Sequence, residues 1–128
     1  QRLNRLPQAL ERRSALAREY RVRLREAAPG VTIPFSSDTE SVPAHIFPIL
    51  LPPGTGRDPV MSHMRERGIQ TSIHYPLIPA FEGYRPDPIG EWKVTTEYCE
   101  RVVTLPFYPE MTDDDVSRVA SELGRCLP

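Results

Sequence analysis

Residues 58–75 read DPVMSHMRERGIQTSIHY. Asp58 followed by Pro59 has the form of a helix start, with Asp as N-cap and Pro at the first helical position. Val60, Met61 and Met64 supply a buried face, and the helix is expected to run to Arg67 and stop at Gly68. The next residues alternate. Thr71, Ile73 and Tyr75 fall on one face and Ser72 and His74 on the other, so Ile69–Tyr75 is expected to be a strand. Residues 93–105 repeat the pattern: a short helix from Lys93 or Val94 to Arg101, then a strand over Val102–Leu105.

Working outward, Val31–Pro34 reads as a short extended segment and Val42–Leu51 as a strand. Pro43 and Pro48 assign that strand to an edge or to bulges. Pro106–Glu110 is a turn, with Phe107-Tyr108-Pro109 packing it. Thr112 then caps a last helix whose first turn is Asp113-Asp114-Asp115 and whose apolar face is Val116, Val119, Ala120 and Leu123. The first 28 residues make one long helix with a stripe of Leu3, Leu6, Leu10, Ala17, Tyr20, Leu24 and Ala27, ended by Pro29-Gly30. Pro7 marks a kink or the helix's true first turn. No Ser, Thr or Asp cap precedes Leu3, and residue 1 is Gln; a piece cut from a longer chain would begin this way. The fold class expected is α+β: a small antiparallel or mixed sheet with helices mainly on one face, led by the long helix.

The chain has 128 residues, the length of one domain. Its formal charge of −1 argues against a nucleic-acid binder that works by bulk charge. The charge is unevenly spread. The first 28 residues hold eight arginines against three glutamates, and the rest hold eight basic and fourteen acidic groups. Without aromatic platforms or a known motif, the basic helix reads as a solvated face that meets an acidic surface. No apolar run is long enough to span a membrane. Cys99 and Cys126 are too few for a disulfide framework and lack metal-ligand spacing, so both are expected to be buried, structural thiols in a reducing, cytosolic setting.

No phosphate-binding loop, dinucleotide fingerprint, zinc motif or nucleophile elbow is present. His63 is expected on the surface of the 58–67 helix and His45 within a strand as a structural residue. His74-Tyr75-Pro76 differs, because it closes a strand and opens the long loop 76–90. It is either a hydrogen-bonded pair holding the loop mouth or part of a site. Tyr84-Arg85 lies farther along that loop, where Arg85 is either solvated or a clamp for phosphate or carboxylate. Lys93 is the sole lysine beside fifteen arginines, and a helix N-terminus is a poor place for a Schiff-base lysine, which needs desolvation.

Four segments carry a resemblance: Leu6–Leu24 (LPQALERRSALAREYRVRL), His45–Leu50 (HIFPIL), Arg65–Tyr75 (RERGIQTSIHY) with Pro76, and Val103–Pro109 (VTLPFYP) with Met111-Thr112. In order and spacing the chain resembles the C-terminal part of the DegT/DnrJ/StrS aminotransferases, over essentially its whole length. The resemblance implies the small domain of a fold-type I aminotransferase, with residues 1–28 as the long interdomain helix and 29–128 as the small domain, one structural unit with it. It implies a cytoplasmic homodimer that transfers an amino group from glutamate or glutamine to a keto-sugar, usually nucleotide-linked. Pyridoxal 5'-phosphate would be held by a large domain absent from this chain, which on its own would be inactive and would contain no catalytic, cofactor-binding or metal-binding residue. It implies substrate contacts from His74, Tyr75, Tyr84 and Arg85. Pro79 stands where members often carry a second histidine, a departure that fits a different sugar or a chain without catalysis. The rival expectation is a free-standing, non-catalytic binding or assembly module that complements a separate large domain.

Overall fold

The structure, a computed structural model, describes residues 6–34, 45–81, 83 and 92–127. Helix α1 (Leu6–Ala27) leads, followed by strand β1 (Phe47–Leu50), helix α2 (Arg57–Glu66), a 3-10 turn (Ile78–Ala80), helix α3 (Lys93–Arg101), strand β2 (Val102–Leu105) and helix α4 (Asp113–Arg125). The strands pair antiparallel in the register Phe47↔Leu105, Pro48↔Thr104, Ile49↔Val103 and Leu50↔Val102. Two isolated bridges widen the sheet, Thr32 beside Leu50 and Ser72 beside Thr104.

Proline sits in β1 because of this register. Thr104 spends both backbone groups on Ser72, so Pro48↔Thr104 is a non-hydrogen-bonded pair and the missing N–H costs the ladder nothing. The bulge that Pro48 suggested is therefore unnecessary. Pro43 lies outside the described residues.

The core joins one face of the sheet (Phe47, Ile49, Val103, Leu105) to Leu16, Tyr20 and Leu24 of α1, Val60 and Met64 of α2, and Val116, Ala120 and Leu123 of α4. Spacings of three and four put those α4 residues on one stripe. Thr112 starts α4 with a reciprocal cap: its hydroxyl accepts from the Asp115 N–H at 3.1 Å, and its own N–H donates to the Asp115 carboxylate at 2.8 Å.

Helices α1 and α4 run parallel. Arg12 reaches the Met111 carbonyl (2.7 Å) and Asp113 (3.1 Å) where α4 begins, and Ala27 lies against Gly124 where it ends. The first turn and a half of α1 thus overhangs α4, which is why Leu6 is exposed although it continues the apolar stripe. Leu16, absent from the expected stripe, is fully buried, and Leu3 lies outside the described residues.

Three local expectations change. Gly56, not Asp58, is the N-cap of α2; Asp58 sits in the first turn, where the helix dipole still favours it. Pro59 is tolerated there because the first-turn N–H groups have no intrahelical acceptor. Ile69–Tyr75 is not a regular strand: only Ser72 bridges β2, since the Ile69 N–H is taken by Met64 O (2.9 Å) as α2 unwinds. His45 precedes β1 rather than lying in a strand.

Substitution Gly124→Ala tests the α1–α4 contact. A Cβ there would stand 1.9 Å from the Ala27 carbonyl oxygen, which is backbone and cannot swing away. Overpacking of this kind costs about 1–3 kcal/mol and outweighs the helix-propensity gain of ~1 kcal/mol. Urea unfolding should show a lowered midpoint; a raised one would contradict the close approach.

Candidate functional site

Gly68 ends α2 in the left-handed conformation, at φ +71°. Ile69 then plugs into the core, and Ser72 exchanges both backbone bonds with Thr104, at 3.1 and 2.8 Å. This clamp holds the next turn of chain against β2. His74 Nδ1 lies 3.0 Å from Thr104 Oγ1 and 3.4 Å from Ser72 Oγ. The half-buried imidazole meets the Tyr75 ring edge-on, with centroids 5.2 Å apart.

A cleft of about 470 Å³ opens beside His74. Its walls are the 68–72 strip, the end of β2 with the turn through Tyr108, the first half of α4, and His45–Ile46. His45, Ser72, His74, Thr104, Tyr108 and Arg118 give it polar groups; Phe107, Met111 and Val119 give it apolar surface. Asp115 also lines it, and hydrogen bonds from the Thr112 backbone and then its hydroxyl hold that carboxyl below the usual carboxylate range. Because the folded value is depressed, the contribution of this cap to stability is present above the ordinary carboxylate range and lost as pH falls through the lower folded value.

Of the two sequence-derived contacts among the described residues, His74 lines the cleft and Tyr75 does not. Tyr75 is 64% exposed and lies on the surface, as do Ile78 and Phe81. Tyr84 and Arg85 lie outside the described residues. Pro79 falls in the 3-10 turn. His63 is only partly exposed: it is half-buried on α2 with Nε2 3.4 Å from the buried Glu122 carboxylate, which also faces Arg67 and Arg125. The α2 face that periodicity left polar packs on α4, which brings the histidine within ion-pair distance of Glu122 but not into a hydrogen bond. Cys99 and Cys126 are free and only half-buried, because each lies near a helix end rather than in the core. Thr104, Ser72, His45, Tyr108 and Arg118 were not read as site residues. The one available signal was a threonine inside the otherwise apolar VVTL strand, where a buried hydroxyl needs a partner.

The model of the DegT/DnrJ/EryC1/StrS aminotransferase family matches residues 1–124. The chain belongs to that family. It is 34% identical over 128 residues to a dTDP-4-dehydro-2,3,6-trideoxy-D-glucose 4-aminotransferase of Saccharopolyspora spinosa, covering 98% of this chain and 32% of that protein. Over 113 residues it is 36% identical to a dTDP-3-amino-3,4,6-trideoxy-alpha-D-glucose transaminase of Streptomyces venezuelae, covering 84% of this chain and 28% of that protein. The crystal structure of DesI in the presence of its TDP-sugar product superposes with a TM-score of 0.87 at 26% identity, covering 97% of this chain and 32% of that one. The chain therefore spans about a third of the length of the curated relatives it matches.

DegT-family membership raises pyridoxal phosphate, and the described residues do not fit it. The cofactor's covalent anchor is a desolvated lysine amine. Lys93 is exposed in the first turn of α3 and is not part of the cleft wall. The cleft can hold and orient a polar, oxygen-rich ligand through imidazole, hydroxyl and guanidinium groups. It contains no amine to carry an imine, and no group of His, Cys, Asp and Glu suited to a metal occurs among the described residues.

If a full-length protein containing this chain binds pyridoxal phosphate, its Lys93→Gln variant should keep the cofactor absorbance, and any turnover within about twofold, as substitutions away from a buried or reacting group do. Loss of both would make Lys93 the anchor and contradict this placement.

Proposed function

We propose that the protein containing this chain is a pyridoxal-phosphate-dependent aminotransferase acting on a nucleotide-linked keto-sugar. Glutamate or glutamine donates the amino group. Residues 1–28 form the interdomain helix and 29–128 the small domain, one structural unit with it. The remaining two-thirds hold the cofactor and its lysine, so this segment alone is inactive. The whole works as a homodimer in the cytoplasm. The dTDP-sugar names of the relatives support the substrate class.

One observation carries the role of this chain: His74, tied to β2, stands in the wall of the polar cleft. The cofactor, when bound, supplies the electron sink. This segment orients the sugar and keeps water out. His74 bonds a sugar oxygen. Tyr75 and the exposed Ile78 and Phe81 give the loop mouth an apolar rim that closes on the ligand. Tyr84 and Arg85 complete the set of contacts, a guanidinium being suited to fork onto a phosphate.

In the full-length enzyme, His74→Ala should lower kcat/KM about tenfold, as loss of a substrate hydrogen bond of ~1.4 kcal/mol does. His63→Gln, which faces Glu122 and not the cleft, should change it less than about threefold. Steady-state kinetics on both variants decide; equal effects would remove His74 from the site.

A further inference from the structure

We infer that Thr104 is the positioning residue of the site: its hydroxyl donates to His74 Nδ1 and fixes the imidazole in the tautomer that carries its proton on Nε2. The inference rests on the reading of His74 as a substrate contact. It adds which atom makes that contact and which residue holds it there.

Thr104 is 4% exposed, in a strand whose other three residues are apolar. A hydroxyl buried there loses its water and must give its proton to an acceptor. Among the described residues the partner of Oγ1 is His74 Nδ1, at 3.0 Å. A neutral imidazole has one N–H and one lone pair. With the proton on Nδ1, the Thr104 oxygen would accept it and the threonine's own proton would be left without an acceptor among the described residues. With the proton on Nε2, the Thr104 hydroxyl donates and Nδ1 accepts. Ser72 Oγ, at 3.4 Å, is a weaker second neighbour of the same nitrogen.

The strand makes Thr104 a rigid support. Both its backbone groups are bonded to Ser72, and its β-branched side chain has few rotamers. The opposite edge of the ring then offers an N–H donor. A donor suits a carbonyl, ether or phosphate oxygen; the other tautomer would offer a lone pair and require a hydroxyl. Thr104 thereby selects the kind of oxygen that His74 meets.

The test uses full-length enzyme labelled with 15N-histidine, the His74 signals being identified by their absence in His74→Gln. Long-range 1H–15N spectra of the wild type should show one tautomer, with Nδ1 unprotonated and Nε2 protonated. The reverse pattern, or the averaged pattern of a free imidazole, would overturn the inference without any Thr104 variant having to fold. Thr104→Val should give the averaged pattern and raise the KM for the keto-sugar roughly fivefold, the effect of losing one neutral hydrogen bond, with a smaller change in kcat. Thr104→Ser should restore both. An unchanged tautomer in Thr104→Val would also overturn it. A lost tautomer with unchanged KM in both Thr104→Val and His74→Ala would overturn the substrate contact and leave the Thr104–His74 bond standing.

Discussion

Tyr20 ties the molecule together. Its ring is fully buried, stacks on Phe47 of β1 at 4.7 Å and lies 6.4 Å from Phe107. Such aromatic pairs add about 0.5–1.5 kcal/mol beyond the area they bury. A buried phenol also needs a partner for its hydroxyl, and Tyr20 donates to the Pro106 carbonyl at 2.7 Å. Burial pushes that hydroxyl far above its ordinary pKa, so it remains a donor across the working pH range. One side chain of α1 thus grips the first strand, the exit of the second and the turn after it. That turn carries Phe107 and Tyr108 into the wall of the cleft.

The cleft follows from how few elements this core allows. Among the described residues only β1 and β2 form a regular ladder, and the chain on either side touches them through single bridges at Thr32 and Ser72. The Ser72 bridge brings a loop-mouth histidine against a buried strand. α4 is pinned at its start by the Arg12–Asp113 pair and near its end by contact with Ala27, and it supplies the opposite wall. Glu122, reached from α2 by His63 and Arg67, ties that wall to the helix leading into the bridge. A buried carboxylate of this kind is costly when a partner is removed, so it fixes geometry more than it adds stability.

Much of this was legible in the sequence. Thr112 with three following aspartates marks α4 to the residue, and VVTL marks β2, because local chemistry alone fixes a cap and a short β-branched run. The end of α2 at Gly68 was equally plain. What failed depended on partners distant in sequence. Alternation in Ile69–Tyr75 could not reveal that α2's unwinding takes the Ile69 N–H. Spacing along α1 could not show where α4 stops covering it, and so overvalued Leu6 and missed Leu16. At the site, His74 stood out by its place at a strand end. Thr104 is thirty residues away, and only the register of β2 brings it to the imidazole.

On the proposed function, the Thr104-held edge of His74 meets the sugar. A crystal structure of the full-length protein with its nucleotide-linked sugar bound tests it most directly. A sugar oxygen should lie within about 3.2 Å of His74 Nε2, with Thr104 still on Nδ1. A sugar bound elsewhere, with His74 Nε2 facing only water or protein, would contradict it.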